Sequence, residues 1–364
     1  MKIRVAVLFG GRSAEHEISL QSARNVIKAL DKERYDVTLI AIDREGAWYL
    51  NEESEPILNF ENPRLIALNK IGDPVSIIPS HKSGVLISQH NSRNLPSIDV
   101  IFPVLHGPFG EDGSIQGLAK LANVACVGSD ILGSAIGMDK DVSKRLLRDA
   151  GIPVAKHIAL RRVDLSSETP GDIAEKLGFP VYVKPANMGS SVGVVRVINA
   201  LDLPAAMDHA FQYDVKILIE EEIVGRELEC SVLGNDKPVA SVVGEILGEE
   251  SFYSYEKKYI DEDGVKLKIP AELESSMEAR IQATSIAAFR ALEVRGMARV
   301  DMFLSNDNCI YVNEINTIPG FTEISMYPKL WNASGLSPTE LTTQLIDLAL
   351  SEHRQKASLK LTGR

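Results

Sequence analysis

The stretch 297 MARVDMFLSNDNCIYVNEINT 317 contains the strongest chemical pattern in the sequence. Two β-rich runs flank residues 306–308 (Asn-Asp-Asn), a turn-prone link, so the stretch predicts a β-hairpin. Reflecting the chain about this link places Asp301 opposite Glu314, within about one residue of register. Two carboxylates should therefore face each other across the paired strands.

Four polar side chains share the predicted hairpin face. Alternation along each strand puts Arg299 beside Asp301 and Asn316 beside Glu314. Like charges across a sheet repel, and a buried unpaired carboxylate costs several kcal/mol, so a positive group must compensate. Arg299 supplies one charge, and Mg²⁺, which prefers oxygen ligands, is a natural second. The pattern predicts either a divalent-metal site or a solvated sheet face with a surface Arg–Asp pair.

Outward from the hairpin, the N-terminal part of the chain alternates strand and helix patterns. Residues 3–9, 36–42 and 98–105 are apolar β-rich runs, and the first ends at a glycine pair before a helical pattern. Residues 44–96 are polar and irregular, with weak strands at best. We expect 1–127 to form a parallel α/β domain that binds substrate.

The remaining chain predicts two further segments. Residues 128–215 combine a helix ending near Gly151 with two β-rich runs joined by a glycine-containing turn. Residues 216–364 are strand-rich, then contain a long polar loop, a helix and the hairpin. The fold class is therefore α/β, becoming α+β in the C-terminal half.

Composition narrows the class of protein and its partners. The formal charge of −11 disfavours nucleic acid and anionic membrane as partners. The three cysteines are widely spaced in apolar runs, which predicts neither a disulfide framework nor a zinc site. No apolar stretch approaches the roughly 18 residues of a membrane helix. We expect a cytoplasmic protein that contacts no membrane and no nucleic acid.

Lys184 lies in an apolar β-rich run and is followed by Gly-Ser-Ser-Val-Gly at 189–193. Glycines permit close backbone approach, and the N–H groups of such a loop can bind phosphate oxygens. The loop matches neither the P-loop nor the dinucleotide fingerprint, which disfavours a Rossmann dehydrogenase. Taken alone, Lys184 could equally be an edge lysine that extends its ammonium group to water.

Arg-Val-Asp at 299–301, together with Asn-Glu-Ile-Asn-Thr-Ile-Pro-Gly at 313–320, resembles the metal hairpin of the ATP-grasp superfamily. The resemblance is specifically to D-alanine–D-alanine ligases and extends over essentially the whole chain. It implies an ATP-grasp fold with an N-terminal Rossmann-like α/β domain. It further implies two Mg²⁺ ions, replaceable by Mn²⁺, on Asp301, Glu314 and Asn316, with Arg299 stabilising an oxyanion.

The same resemblance assigns the nucleotide site. It implies that the phosphates are bound by two lysines and a loop serine, and the adenosine by an acidic strand end and its backbone: Lys140, Lys184, Ser191, Glu220, Glu221, Ile223 and Glu227. A run of glutamates is also typical of a solvated face. At position 221 some relatives carry lysine, so only a backbone role is expected there.

The amino-acid sites are likewise implied by resemblance. Residues expected to act on the substrates or bind them are Glu15, His106, Ser190, Tyr253, Lys258, Tyr259, Gly320, Ser325 and Met326. Glu15 could instead stabilise a helix N-terminus, and His106 could be purely structural. Glu323 is an extra acid in the acceptor loop, where relatives often carry a small or amide residue.

The implied reaction joins two D-alanines with ATP through a D-alanyl phosphate, for peptidoglycan precursor synthesis. Residues 253–259 resemble an active-site lid that would exclude water from this acyl phosphate. A D-alanine–D-lactate ligase, or another ATP-grasp ligase joining a carboxylate and an amine, is the alternative. A non-catalytic ATP-binding protein should lack the amino-acid residues. A homodimer is expected by resemblance alone.

Overall fold

The computed structural model describes residues 1–50, 57–59, 66–69, 72–79, 84–91, 95, 97–165, 169–247 and 266–360. Within these residues the chain contains a seven-stranded sheet, a four-stranded sheet and a five-stranded sheet in sequence order, with a short two-stranded ribbon beside the first.

The N-terminal sheet has the strand order β7-β6-β3-β2-β1-β8-β9. Its strands and those of the ribbon are β1 (Ile3–Gly10), β2 (Tyr35–Ile42), β3 (Trp48–Leu50), β4 (Ile57–Leu58), β5 (Ala67–Leu68), β6 (Asp73–Ile78), β7 (Val85–Ser88), β8 (Val100–Val104) and β9 (Ala125–Cys126). The helices of this region are α1 (His16–Ala29) and α2 (Ser114–Leu121).

The predicted parallel sheet is present, with an antiparallel extension. Strands β2, β1, β8 and β9 are parallel neighbours, whereas β3, β6 and β7 add antiparallel strands at one edge. The expectation of weak strands at best over 44–96 agrees with the described part of that region, where strands β3 to β7 are two to six residues long. Its short strands are stabilised by pairing with an existing sheet, which local polarity does not reveal.

Strand β1 ends where the chain must turn sharply into α1. Gly10 has a φ of +91°, and a Cβ there would lie 2.1 Å from the carbonyl oxygen of Ile42, so only glycine fits. The turn brings Glu15 and the start of α1 to the carboxyl end of the parallel strands, where ligands bind in open α/β sheets.

The central region forms the antiparallel sheet β10-β13-β11-β12. Its elements are α3 (Ile131–Met138), α4 (Lys140–Asp149), β10 (His157–Arg161), a 3₁₀ turn (Arg162–Asp164), α5 (Pro170–Leu177), β11 (Val181–Pro185), β12 (Val195–Val197), α6 (Leu203–Ala210) and β13 (Lys216–Glu221). Strand β13 lies in this sheet although the third predicted segment begins at 216. The segment boundaries stay a prediction.

The C-terminal region forms the antiparallel sheet β16-β15-β14-β17-β18. Its elements are β14 (Gly225–Gly234), β15 (Val239–Leu247), β16 (Lys266–Lys268), α7 (Ser275–Ala291), β17 (Gly296–Ser305), β18 (Ile310–Asn316), α8 (Met326–Ala333) and α9 (Pro338–Ala357). The predicted hairpin is β17 and β18, and β18 is the edge strand of the sheet.

One hydrophobic cluster joins the N-terminal sheet to the C-terminal helices. Phe102 of β8 contacts Phe321 edge-on at 6.3 Å, and Phe321 contacts Tyr327 of α8 at 5.7 Å. Tyr327 and Leu345 of α9 are buried in the same cluster. The central sheet has its own separate cluster. Within the described residues, no helix is long and apolar enough to cross a membrane.

Candidate active site

The hairpin has the register predicted from the sequence. Asp301 pairs with Glu314 and Arg299 pairs with Asn316, with a bulge immediately after Asp301. Asn308 adopts a left-handed φ of 62°, and its N–H donates to the Ser305 carbonyl at 2.9 Å, closing the turn. Alternation and turn chemistry are both local, which is why the sequence was sufficient here.

The charges on this face are buried and tightly paired. Arg299 donates to both carboxylate oxygens of Asp301, at 2.7 and 2.6 Å, and its Nε lies 2.9 Å from Glu229. Asn316 donates from Nδ2 to Asp301 at 3.0 Å. Asp301 is only 6% exposed. The Arg299–Asp301 pair is present, but it is buried. The alternative of a solvated sheet face with a surface Arg–Asp pair is therefore not supported.

The donor set fits a hard divalent cation. Asp301, Glu314 and Asn316 all offer oxygen atoms, and the Glu314 carboxylate lies 3.3 Å from the ammonium group of Lys140. In the described part of the chain, no group of three or more histidine, cysteine or acidic side chains could hold a metal. An ion bound here would therefore rest on two carboxylates, one amide and phosphate or water oxygens, the arrangement typical of Mg²⁺.

A cleft of about 820 Å³ lies between the central sheet and the C-terminal sheet. The seven residues predicted to bind the nucleotide all line it: Lys140, Lys184, Ser191, Glu220, Glu221, Ile223 and Glu227. Asp301 and Glu314 line its far side. The cleft therefore brings the predicted nucleotide residues and the hairpin acids to one space, large enough for a drug-sized or cofactor-sized ligand.

Glu220, at the end of β13, lies between two lysines in the wall of the cleft. Lys184 donates to its Oε1 at 2.6 Å, and the Nζ of Lys144 lies 2.9 Å from its Oε2. Burial alone would raise the pKa of Glu220, but Lys144 and Lys184 lower it to about 2. Glu220 is therefore ionised, and Lys184 is a buried, paired lysine rather than an edge lysine reaching water.

Lys140 and Glu221, which are also predicted to bind the nucleotide, contact backbone groups of neighbouring segments. Lys140 donates from Nζ to the Met188 carbonyl at 2.6 Å, which ties the start of α4 to the glycine loop. The Glu221 side chain accepts from the backbone N–H of Lys156 at 2.8 Å. This carboxylate is thus occupied by the sheet, consistent with the expectation that only the backbone of 221 serves a ligand.

The glycine loop is anchored at both ends and strained in the middle. Asn187 donates from its backbone N and from Nδ2 to Asp214, at 2.7 and 2.9 Å. Ser190 and Ser191 have left-handed φ values of 50° and 60°, unusual for residues with a side chain. A Cβ on Gly193 would lie 2.6 Å from the Tyr213 ring. Such strain is often found in ligand-binding loops.

Ser190 connects the glycine loop to the amino-acid end of the site. Its hydroxyl donates to the Glu15 carboxylate. Glu15 is 8% exposed and makes no side-chain cap hydrogen bond to α1. Glu15 directly precedes α1, so its charge also lies at the helix N-terminus, as the alternative interpretation expects, while its carboxylate contacts the glycine loop.

His106 is held between α1 and the loop that follows the hairpin. Its Nδ1 lies 3.0 Å from the Ile318 carbonyl and its Nε2 lies 3.0 Å from Ser22 Oγ. Burial lowers the pKa of His106, so the imidazole is neutral. Both ring nitrogens therefore already have protein partners, which join α1 to the loop after β18.

Glu111, which the sequence analysis did not single out, lies beside Glu15. Its carboxyl accepts from the backbone N–H of Gly107 at 2.9 Å and of Ile318 at 3.3 Å. Burial and the neighbouring Glu15 raise its pKa to about 8, against opposing effects of those two N–H groups and Arg299. Glu111 therefore bridges the N-terminal domain to the loop after β18 as a largely protonated acid near pH 7.

The predicted acceptor residues lie on the turn that begins α8. Ser325 precedes the helix, and its Oγ accepts from the backbone N–H of Thr322 at 3.0 Å. Met326, expected in a loop, is the first residue of α8, where backbone N–H groups favour an anion. Gly320 lies close to the Ser325 hydroxyl. Glu323 points outward and lies 3.6 Å from Arg24.

Tyr253, Lys258 and Tyr259 lie outside the described residues. Their assignment to a lid stays a prediction. The described part of the site therefore comprises the nucleotide cleft, the hairpin, the Glu15–Ser190 contact and the acceptor turn.

The sequence analysis missed Lys144, Glu229 and Glu111. Lys144 lies four residues after Lys140, on the same helix face, and Glu229 lies two residues after Glu227, on the same strand face. Those two spacings could have been recognised in the sequence. The ion-pair partners of Lys144 and Glu229 could not, because Glu220 and Arg299 lie on strands distant in sequence.

Two family matches cover most of the chain. The D-ala D-ala ligase N-terminus family matches residues 4–129, and the D-ala D-ala ligase C-terminus family matches residues 146–347. The D-alanine--D-alanine ligase of Oceanobacillus iheyensis is 52% identical over 360 residues, which are 99% of this chain and 98% of that protein. D-alanine--D-alanine ligase A of Escherichia coli is 50% identical, covering 99% of each chain.

Solved structures of ligases also match the chain over nearly its whole length. The D-alanine-D-alanine ligase from Coxiella burnetii matches with a TM-score of 0.85 and 36% identity, covering 98% of this chain and 96% of that chain. The VanG D-Ala:D-Ser ligase from Enterococcus faecalis matches with a TM-score of 0.84 and 37% identity, covering 96% and 100%. D-alanine–D-alanine ligases have the ATP-grasp fold, which confirms the predicted fold class. The chain therefore belongs to the D-alanine–D-alanine ligase family of ATP-dependent ligases, as the hairpin motif predicted.

Proposed function

We propose that the protein joins two D-alanines to D-alanyl-D-alanine, converting ATP to ADP and phosphate. The observation that supports this proposal is the Ser190–Glu15 hydrogen bond, which joins the glycine loop to the carboxylate that we assign to the first amino acid. Relatives 50 and 52% identical over nearly the whole chain bear the name of this activity.

The reaction requires positioning and charge stabilisation rather than a covalent enzyme nucleophile. A carboxylate oxygen of the first D-alanine attacks the γ-phosphorus of ATP, giving D-alanyl phosphate and ADP. The amine of the second D-alanine then attacks the acyl carbon, loses a proton, and expels phosphate. Glu15 would bind the first ammonium group, and the start of α8 with Ser325 would bind the second carboxylate.

Cations surround the place where charge develops. Lys140 and Lys184 line the phosphate end of the cleft, and Arg299 lies beside the hairpin acids. We assign Arg299 to the oxyanion formed in the second step. Asp301, Glu314 and Asn316 would hold two Mg²⁺ ions, or Mn²⁺ in their place, and such ions would offset the charge of the phosphates.

Several assignments follow from family membership as proposals. They are cytoplasmic location, a role in peptidoglycan precursor synthesis and a homodimeric state. The lid role of Tyr253, Lys258 and Tyr259 is proposed on the same ground.

A ligase with another acceptor is the second candidate. It is favoured by the likeness to a solved D-Ala:D-Ser ligase at 37% identity. The acceptor turn of this chain also carries Glu323, 3.6 Å from Arg24, as an additional charge near the second amino-acid site.

One experiment separates these candidates. ADP release is measured with D-alanine alone and with D-alanine plus D-serine, D-lactate or L-alanine, each with and without Mg²⁺, and products are identified by mass. We expect Mg²⁺-dependent D-alanyl-D-alanine from D-alanine alone. ADP release only when D-serine or D-lactate is added would contradict the proposed acceptor, and metal-independent turnover would contradict the metal assignment.

A further inference from the structure

Lys144 is a buried lysine for which the proposed reaction has no use as a ligand. Its side chain is 0% exposed, and it projects from α4 one turn after Lys140. Within the described residues, its ion pair is with Glu220, at 2.9 Å from Nζ to Oε2. The angles at this contact are not those of a well-formed hydrogen bond, so the interaction is chiefly ionic.

Glu220 has two cationic partners but can share only one of them with a nucleotide. Lys184 donates to its Oε1 at 2.6 Å, whereas Lys144 lies at Oε2. In the proposed function Lys184 also binds a phosphate, so its three N–H donors are shared between Oε1 and the nucleotide. Oε1 keeps a second lone pair, which can accept from the exocyclic amino group of adenine.

Lys144 has no comparable alternative. It is fully enclosed, and a buried carboxylate that loses all its cations is strongly destabilised. With Lys144 in place, Glu220 keeps one counterion of its own while Lys184 is shared with the nucleotide.

We propose that Lys144 is a positioning residue that holds Glu220 as an oriented carboxylate and thereby selects a 6-amino purine over a 6-oxo purine. This inference rests on the proposed nucleotide site. An ionised carboxylate only accepts hydrogen bonds, so it pairs with the adenine amino group and opposes the C6 carbonyl of inosine. A protonated Glu220 could donate to that carbonyl, and the discrimination would fall.

The test compares ATP with inosine triphosphate (ITP) as the nucleotide for Lys144→Met. We expect the KM for ATP to rise about tenfold or more and the ATP-over-ITP preference in kcat/KM to fall about tenfold, the effect of leaving one buried polar group mispaired. The kcat at saturating ATP should change much less. An unchanged preference in a folded Lys144→Met enzyme would overturn the proposal.

The matched control is Arg145→Met, on the exposed side of the same helix. Arg145 is 57% exposed and pairs with Asp141 at 3.3 Å, so this variant removes the same charge without touching Glu220. Its nucleotide preference should equal that of the unmodified protein. A comparable loss in Arg145→Met would assign the effect to helix charge and overturn the role of Lys144.

A double variant keeps the test decisive if Lys144→Met does not fold. In Glu220→Gln the carboxylate is absent, so adding Lys144→Met should cause no further loss of ATP preference. A further tenfold loss in Lys144→Met/Glu220→Gln would show that Lys144 acts by another route. ATP and ITP binding are also measured by displacement of a fluorescent ADP analogue without D-alanine, which tests Lys144 even if the proposed peptide synthesis fails.

Discussion

Arg299 lies between the carboxylates of Asp301 and Glu229, at 2.6 and 2.9 Å. Removing it would leave two enclosed acids without their cation, which destabilises the fold as well as the reaction. Arg299→Ala therefore cannot separate catalysis from folding. Arg299→Lys keeps the charge but loses the planar fork that binds two oxygens at once.

For Arg299→Lys we expect kcat to fall by about 10²–10³, the usual effect of removing one oxyanion donor, with the fold retained. Steady-state ADP release and thermal unfolding measure the two effects. Arg34→Ala, which breaks an exposed pair with Asp347 at 3.4 Å, is the control and should leave kcat unchanged. A kcat near that of the unmodified protein would refute the assignment of Arg299.

Glu111 predicts a pH dependence whose sign follows from its raised pKa. The folded protein holds a proton on Glu111 up to about pH 8, whereas the usual value is 4.5. Between these values the unfolded state binds fewer protons, so the contribution of Glu111 to stability falls as pH rises. Glu111→Gln has no such proton, and its unfolding midpoint should decline less from pH 5 to 8.

The measurement is the thermal unfolding midpoint of both proteins at several pH values without ligands. Glu33→Gln, an exposed acid before β2, serves as the control and should follow the unmodified protein. Parallel curves for Glu111→Gln and the unmodified protein would show that Glu111 titrates normally.

At the scale of elements, helix α4 connects both ends of the nucleotide site. Asp139 caps its first turn by accepting from the backbone N–H groups of Asp141 and Val142, at 3.1 and 3.0 Å. The same face then presents Lys140 toward the phosphate loop and Lys144 toward Glu220. One helix therefore fixes the distance between the contact with the glycine loop and the contact with Glu220.

Helix α9 begins with a capping box, whose contribution to stability can be tested. Ser337 accepts from the Glu340 backbone N–H at 3.3 Å, and the Glu340 carboxylate accepts from the Ser337 backbone N–H at 2.9 Å, forming a capping box. Ser337→Ala should cost about 1 kcal/mol and speed hydrogen exchange in the first turn of α9. Ser351→Ala, at an exposed position in the same helix, should cost nothing. Equal exchange in both variants would contradict the role of the cap.

For the whole molecule, the shared core predicts how the chain unfolds. The cluster that contains Tyr327 and Leu345 also contains residues of β1 and β8, whereas the central sheet packs around a separate cluster. The N-terminal sheet and the C-terminal helices should therefore unfold as one cooperative unit. The two tryptophans report on it separately, because Trp48 lies in β3 and Trp331 in α8.

Single-tryptophan proteins, Trp331→Phe and Trp48→Phe, allow each region to be followed in urea. Leu345→Ala, at a position that is 1% exposed, should cost about 2–5 kcal/mol and shift both transitions together. Ile217→Ala, in the separate central cluster, should leave both midpoints nearly unchanged. Separate shifts of Trp48 and Trp331 after Leu345→Ala would show that the two regions are independent.

The sequence alone determined the features that depend on short-range periodicity. The pairing of Asp301 with Glu314 follows from strand alternation and a three-residue turn, and the Gly10 turn follows from a buried strand that must end sharply. Family resemblance then supplied a nucleotide set whose seven members do line one cleft. The hairpin pairing and the Gly10 turn need only neighbouring residues to be specified, whereas the nucleotide set came from the family resemblance.

Tertiary structure decided the partners of the buried charges and the edge of the first sheet. Lys144 with Glu220, and Glu229 with Arg299, join residues separated by about 70 positions or more in the chain. The strands of the irregular N-terminal region are stabilised by pairing with an edge that already exists. Loss of one partner of a buried ion pair strongly destabilises the fold, so these pairings matter for stability. Only the folded chain shows which groups are buried together.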